Sequence, residues 1–454
     1  MSDQHNIDRL SLRTKVAYGV GDLGANLVFG TVGFFLLYFL TDVALLSASL
    51  AGIAMMTVRI VDAFTDPLVG YLSDRTRTRW GRRRPFLLFG SLPVGMFFLI
   101  LFTDTPIQSQ ALLFVYVVIA YLLFFVSYSA VNVPYSALTP DMTRDFDERT
   151  NLTGYRMASA IVGTLIAAGA TTALVALFST ERSGFSVVAG LYGAVFIVMT
   201  LIVFLGVRER KKPAPYTAGS SMFRLYGSAF KNTPFVLASV TYILHTMAVL
   251  IISTTLIYYF KYYMKRESLI GTIFLVLLLT AIVFIPFWVR ISRTIGKKAS
   301  YNIGMTVFAL SMVGIFFLRP DQLVAMYLLT AVAGMGLSTN FVLPWAIVPD
   351  TIEFNEMKTG NRNEGIFYGI WSFGPKLGSA GSSLLVGFIL HLSGYVPNVT
   401  DQSGTTLMGI RLGLCIVPAA IMGIGIGVLS FYPITHKKYR EILDELARRR
   451  QPNA

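Results

Sequence analysis

Charge is scarce in this chain, and so is cysteine. Only 14% of its 454 residues are charged, against about 25% in an ordinary soluble domain, which excludes the usual globular enzyme. Cys415 is the one cysteine, so no intrachain disulfide can form. The four histidines (His5, His245, His391 and His436) are scattered and show no metal-ligand spacing. A phosphate-cradling glycine loop is missing, which argues against direct nucleotide drive. So is any clustered nucleophile, base or metal set, and no catalytic function is expected. Period-two alternation of apolar and polar residues is absent, which disfavours a β-barrel.

What the chain has in quantity is apolar sequence, at 54% of its residues. Long runs recur from end to end, among them Leu27 to Leu40, Pro85 to Phe102, Ala111 to Val126, Gly190 to Leu205, Phe235 to Ile257 and Leu412 to Tyr432. Breaking the sequence at charges, prolines and glycines gives about twelve spans of roughly 20 residues. The expected class is an all-α polytopic membrane protein. Met1 to Leu10 is polar and contains no short apolar core with a cleavage site, so the first span is expected to direct the chain to the membrane.

The net charge of +14 follows topology and does not point to nucleic acid. Arg75, Arg77, Arg79 and Arg82 to Arg84 crowd one short loop, and Arg290, Arg293, Lys297 and Lys298 another. Arg208, Arg210, Lys211 and Lys212 form a third group, and Lys437, Lys438, Arg440 and Arg448 to Arg450 a fourth. With twelve spans these all fall on one side, which the positive-inside rule makes cytoplasmic along with both termini. The tail from Tyr439 to Arg450 has the pattern of an amphipathic surface helix.

The segment 208–233 is the long polar stretch in mid-chain, and it sets the expected organisation. A six-helix bundle over 1–207 precedes this cytoplasmic loop, a second over 234–435 follows it, and 436–454 is a cytoplasmic tail. The halves echo each other. Gly81-Arg82-Arg83-Arg84 parallels Gly296-Lys297-Lys298, and Pro134-Tyr135 with Pro140-Asp141 parallels Pro344-Trp345 with Pro349-Asp350. Internal repeats of this kind build many secondary transporters, with a site at the repeat interface near the bilayer midplane.

Within the apolar spans, Arg59-Ile-Val-Asp62-Ala-Phe-Thr65-Asp66-Pro67 stands out. At about 100° per residue, Asp62 and Asp66 lie about 40° apart on one helix face. Each intramembrane carboxylate costs roughly 2.5–3.5 kcal/mol on an insertion scale, so such residues face water, an ion or an opposite charge. One arginine does not neutralise two aspartates, and a cation site outweighs the structural alternative of an Arg59–Asp62 salt bridge. Asp22 and Asn26 share a face at i, i+4. Polar residues also mark other spans: Ser127, Tyr128, Ser129 and Asn132, then Arg156, Asn340, and Trp371 with Ser372 and Lys376. Pro67, Pro134, Pro344 and Pro375 leave the carbonyls of Ala63, Ala130, Asn340 and Trp371 without their helical donors, and in lipid these must find another partner. Lys376 lies roughly 18 Å into its helix, too deep to snorkel easily.

Taken together these stretches identify the chain as resembling the glycoside–pentoside–hexuronide:cation symporters of the major facilitator superfamily. The resemblance runs through Lys15 to Gly21, Tyr38 to Val43, Arg59 to Pro67 and Arg79-Trp-Gly-Arg82. It continues through Pro134 to Pro140, Val348-Pro-Asp350, Lys376 to Ala380 and Gly394-Tyr-Val-Pro-Asn398. It implies a twelve-helix major facilitator fold of two six-helix bundles working by alternating access. It places cation ligands at Asp62, Asp66, Thr65 and Ser129, with Arg59 and Lys376 as coupling residues. These are hard oxygens suited to Na⁺, although the carboxylates could instead carry a proton. The family's melibiose permeases have asparagine at Thr65 and threonine at Ser129, which leaves the cation open.

By the same resemblance the substrate-binding set is Asn26, Asn132, Arg156, Tyr128, Phe341, Trp371 and Ser372, with Asp22 beside Asn26. Melibiose permeases have aspartates at Asn26 and Asn132 and tryptophans at Ser136 and Phe341. Loss of two carboxylates makes an anionic sugar more tolerable beside Arg156 and Lys376, which leans the reading toward a glycoside or glucuronide. Arg149 and Asp141 in the first half, with Arg362 and Asp350 in the second, are the candidate cytoplasmic gate. The expected function is Na⁺- or H⁺-coupled sugar symport across a bacterial inner membrane, by a monomer with no cofactor beyond the coupling ion. The alternative is cation-dependent lysophospholipid transport, since an animal branch of the group uses similar Asp and Lys positions for lipid.

Overall fold

The computed structural model describes residues 10–143, 145–209, 229–360 and 364–450. Among these there is no strand, only an isolated bridge between Thr78 and Gly81. Twelve helices are long and apolar enough to cross a membrane. In chain order α1 is Leu12–Val43, α2 Ala48–Arg75, α3 Arg84–Leu101, α4 Gln110–Ser136, α5 Phe146–Val175 and α6 Glu181–Gly206. Then come α7 Thr233–Tyr263, α8 Glu267–Ile295, α9 Lys297–Phe316, α10 Leu323–Thr359, α11 Glu364–Leu392 and α12 Gly404–Ser430, with α13 at His436–Arg450.

Local chemistry sets several helix ends. Ser11 accepts from the Thr14 amide to start α1, and Asp145 accepts from the Glu148 amide to start α5. Asn232 starts α7 by accepting from the Phe235 amide. Such caps satisfy amides that a helix start otherwise leaves unpaired. The last turns of α1 (Phe39–Val43) and α7 (Tyr259–Tyr263) both widen to π-helix.

Contacts group the chain into two compact units. Unit 1 is Met1–Pro215 with Arg266–Gly271 and Gly394–Asp401; unit 2 is Tyr216–Lys265, Thr272–Ser393 and Gln402–Ala454. The stretch Gly394–Asp401 belongs to unit 1 through α1: the Tyr395 hydroxyl donates to Asp42 Oδ1 at 2.5 Å and the Asn398 amide to the Asp42 carbonyl at 2.6 Å. Within unit 1, α1 packs on α5 and α6, α3 on α4 and α6, and α2 on α4. Within unit 2, α7 packs on α11 and α12, and α9 on α10 and α12. Four of these neighbour pairs repeat under a shift of six helices, so the echo seen in the sequence extends to packing.

Small residues permit the closest approaches, as in membrane helix pairs generally. A Cβ on Gly163 of α5 would stand 2.4 Å from the Leu23 carbonyl of α1. Phe39, Phe98, Phe102, Phe124 and Phe185 form an aromatic core in unit 1, with centroids 5.1–5.7 Å apart for the pairs Phe98–Phe102, Phe39–Phe102, Phe39–Phe185 and Phe98–Phe124. The core of unit 2 gathers Phe235, Tyr242, Phe367, Trp371 and Tyr432 with Ile442 and Leu446 of α13. The tail helix therefore buries its apolar face in protein, where the sequence suggested a helix lying on a lipid surface.

Candidate functional site

Asp62 and Asp66 project from α2 towards Ser129 of α4. The Ser129 hydroxyl lies 2.6 Å from Asp66 Oδ1 and 3.0 Å from Asp62 Oδ1. A hydroxyl has one proton, so it serves one carboxylate at a time and leaves its lone pairs for another partner. Thr65 adds a second hydroxyl, which donates to the Asp62 carbonyl at 2.8 Å and lies 3.4 Å from Asp62 Oδ1. Pro67 sits inside α2 without breaking it, so the Ala63 carbonyl lacks its helical donor on the turn that carries both aspartates. Two carboxylates and two hydroxyls thus meet in one place, with Asp62 only 2% exposed. This is a hard-oxygen set of the kind that holds an alkali cation or a proton.

Arg59 occupies the same helix, yet among the described residues it forms no salt bridge with Asp62. Its guanidinium stands 4.2 Å over the Phe125 ring and 5.0 Å over the Phe29 ring, and Nε has no hydrogen-bond partner. Cation–π contact holds it there. Tyr128 stacks on Phe29 at 5.7 Å and on Phe124 at 5.9 Å, which closes an aromatic box beside the acid pair. No local sequence pattern marks this box. Phe29 and Phe125 look like ordinary span residues, and only the fold brings α1 and α4 to Arg59.

A second polar cluster lies on α1, α4 and α5. Arg156 Nε donates to Asp22 Oδ2 at 2.5 Å and Nη2 reaches Asp22 Oδ1 at 3.3 Å. The Tyr135 hydroxyl lies 2.9 Å from Asp22 Oδ2 and 2.7 Å from the Tyr18 carbonyl, and the Tyr135 ring faces the Arg156 guanidinium at 4.8 Å. Asn26 donates to the Asp22 carbonyl at 2.8 Å, while Asn132 lines a small cleft with Ala25, Tyr135 and Thr200. Asp22 balances the charge of Arg156 in this arrangement.

In unit 2 the named residues have different settings. Phe341 is exposed and Ser372 is exposed, its hydroxyl donating to the Gly369 carbonyl. Lys376 is half-buried along α11. Trp371 is 1% exposed and stacks on Tyr242 at 4.7 Å with 3° between the rings, inside the unit's core.

The candidate gate residues pair locally. Asp141 takes Arg82 at 2.9 Å and Arg83 at 3.2 Å within unit 1, and Asp350 takes Lys297 at 2.6 Å within unit 2. Arg149 donates to the Thr143 carbonyl at 3.0 Å, and its neighbour Glu148 holds Lys15 at 2.9 Å. Arg362 lies outside the described residues. Among the described residues no group of three or more His, Cys, Asp or Glu side chains is arranged to hold a metal ion.

Comparison with known proteins places this geometry. Residues 17–436 match the family model for MFS/sugar transport proteins. The uncharacterized symporter YnaJ of Bacillus subtilis (strain 168) is 33% identical over 98% of this chain and 96% of its own length. The glucuronide carrier protein homolog of Escherichia coli (strain K12) is 30% identical over 98% of this chain and 97% of its own. The crystal structure of the nucleoside transporter NupG superposes with a TM-score of 0.71 at 12% identity, covering 92% of this chain and 99% of that one. That likeness shows the fold, a twelve-helix major facilitator architecture, and the twelve apolar helices with the family match make this an integral membrane protein. By sequence and fold together, the chain belongs to the glycoside–pentoside–hexuronide:cation symporter family of the major facilitator superfamily.

Proposed function

We propose that this protein moves a glycoside, pentoside or hexuronide together with Na⁺ or H⁺, as a secondary active symporter working by alternating access. The observation that carries the reading is the single hydroxyl of Ser129 within hydrogen-bond distance of both Asp62 and Asp66. The cation is taken up by these carboxylates with the Thr65 and Ser129 oxygens, and the sugar by Asn26, Asn132, Arg156, Tyr128, Phe341 and Ser372. Each ligand favours occupancy by the other, and by linkage that coupling is reciprocal. Arg59 and Lys376 are the coupling residues, fixed positive charges that compete with the incoming cation for the carboxylates. Cytoplasmic termini are the orientation that the basic segments support by the positive-inside rule. Arg149, Asp141 and Asp350 belong to a cytoplasmic gate, and the coupling ion is the sole accessory the protein requires.

The test is uptake into membrane vesicles containing this protein. Methyl β-D-glucoside, methyl β-D-xyloside, methyl β-D-glucuronide and lysophosphatidylcholine are each supplied with and without an inward Na⁺ or H⁺ gradient. Gradient-dependent accumulation of a sugar is expected. Accumulation of lysophosphatidylcholine alone transfers the case to a lipid carrier, and sugar flux that merely equilibrates under every gradient refutes coupling at Asp62 and Asp66.

A further inference from the structure

Unit 2 holds a chain of three polar side chains, one from each of three helices. His245 of α7 is 0% exposed, and its Nδ1 lies 3.1 Å from the Tyr301 hydroxyl of α9. Tyr301, itself buried, donates to Asn340 Oδ1 of α10 at 3.4 Å. Valence fixes the direction of the chain. Tyrosine has one O–H, and with that proton on Asn340 the ring nitrogen must be the donor to the tyrosine oxygen. Nδ1 of His245 therefore carries a proton, and because the buried Nε2 faces no acceptor for a second one, the neutral Nδ1–H tautomer is assigned.

The consequence falls on Asn340. With Oδ1 turned to Tyr301, the two Nδ2 protons point the other way. Asn340 is only half-buried, and among the described residues Nδ2 has no protein acceptor. Pro344 lies four residues on, inside the same helix, so the Asn340 carbonyl also lacks its helical donor. One residue thus offers a donor pair and an acceptor, and the residue after it in the chain is Phe341, which is 49% exposed. Donor, acceptor and apolar ring are what a pyranose needs for a pair of hydroxyls and its C–H face. We propose that Asn340 is a sugar-hydroxyl ligand of unit 2, and that Tyr301 and His245 are positioning residues that aim its amide. The assignment rests on the sugar-transport reading above and adds a contact residue and its supporting chain to that site.

The experiment measures concentration dependence of uptake in vesicles with methyl β-D-glucoside, methyl β-D-xyloside and methyl β-D-glucuronide. Wild type is compared with Asn340→Ala, Asn340→Ser, Tyr301→Phe, His245→Asn, His245→Phe and the Asn340→Ala/Tyr301→Phe double variant. Asn340→Ala should raise KM about tenfold, the loss expected of one or two hydrogen bonds. Its maximal rate and half-saturating cation concentration should stay within about threefold of wild type (by the same scale). Tyr301→Phe should raise KM by a smaller factor, and the double variant should be no worse than Asn340→Ala alone, because Tyr301 acts through the amide. His245→Asn, whose side-chain N–H replaces Nδ1–H, should keep wild-type KM, while His245→Phe follows Tyr301→Phe. Unchanged KM in both Asn340 variants, or a double variant whose effect is the product of the singles, overturns the assignment while leaving sugar transport intact. Wild-type vesicles that accumulate none of the three sugars overturn the transport reading itself, and this assignment with it.

Discussion

Asp66→Asn is the substitution that most directly weighs the acid pair. The change is nearly isosteric and removes one unit of charge from a half-buried place, where Ser129 is 2.6 Å away. A unit charge about 4 Å from a cation contributes about 4 kcal/mol at an effective dielectric constant of about 20. The amide oxygen that replaces the carboxylate remains a ligand and returns part of this. A net loss of about 2–4 kcal/mol corresponds to a rise of about 30- to 1000-fold in the half-saturating cation concentration. Gradient-driven accumulation should then vanish at ordinary cation levels. Exchange of labelled for unlabelled sugar across the membrane, which needs no net cation flux, should persist. The assay is initial uptake against cation concentration in vesicles, with counterflow measured on the same preparation. A half-saturating concentration within about threefold of wild type, with accumulation intact, would show that Asp66 does not bind the coupling ion.

Three further outcomes follow from the same geometry. Ser129→Ala removes the bridging hydroxyl, and the loss of one hydrogen bond to a charged group, about 1.5–3 kcal/mol, should weaken cation dependence about 10- to 100-fold; Ser129→Thr, which keeps the hydroxyl, should restore it. Asp22→Asn strands the buried Arg156 guanidinium, which should cost about 3–5 kcal/mol of stability. The double variant Asp22→Asn/Arg156→Gln should recover part of that, and thermal unfolding of detergent-purified protein reads both; an unmoved midpoint in the single variant refutes the pairing. Gly163→Ala drives a Cβ against the Leu23 carbonyl at 2.4 Å, a backbone atom that cannot swing aside, so a loss of about 1–3 kcal/mol should appear as a lower unfolding midpoint, whereas Gly423→Ala, inside α12 with nothing within 4 Å, should hold or slightly raise it.

How much could be read without coordinates depends on the distance over which each feature is set. The alignment of Asp62 with Asp66 follows from helix periodicity alone, and the twelve spans follow from apolar run length. Thr65 and Ser129 needed the family resemblance, since a hydroxyl in an apolar span is unremarkable by itself. The aromatic box of Arg59 was out of reach because Phe29 and Phe125 come from two other helices. Asp22 and Arg156 each stand out as polar residues in apolar spans, yet their pairing spans 134 residues of sequence and no local pattern encodes it. Trp371 and Ser372 show the limit from the other side. Adjacent in sequence, they lie about 100° apart around α11, so one is buried in the core and the other exposed. The amphipathic pattern of the tail helix is plain in the sequence, but amphipathicity specifies a face to be covered and not whether lipid or protein covers it.

Cys415 sits at 0% exposure in the π-helical turn of α12, out of reach of aqueous thiol reagents while the protein is folded. The native chain is therefore already a silent background for site-specific labelling. A cysteine placed at Ser372 or Asn340 would be the one thiol open to a charged methanethiosulfonate. Its rate of modification, followed with and without sugar and with Na⁺ or H⁺ varied, would report which ligand closes water off from that position, on intact vesicles and without first removing any residue of the wild-type sequence.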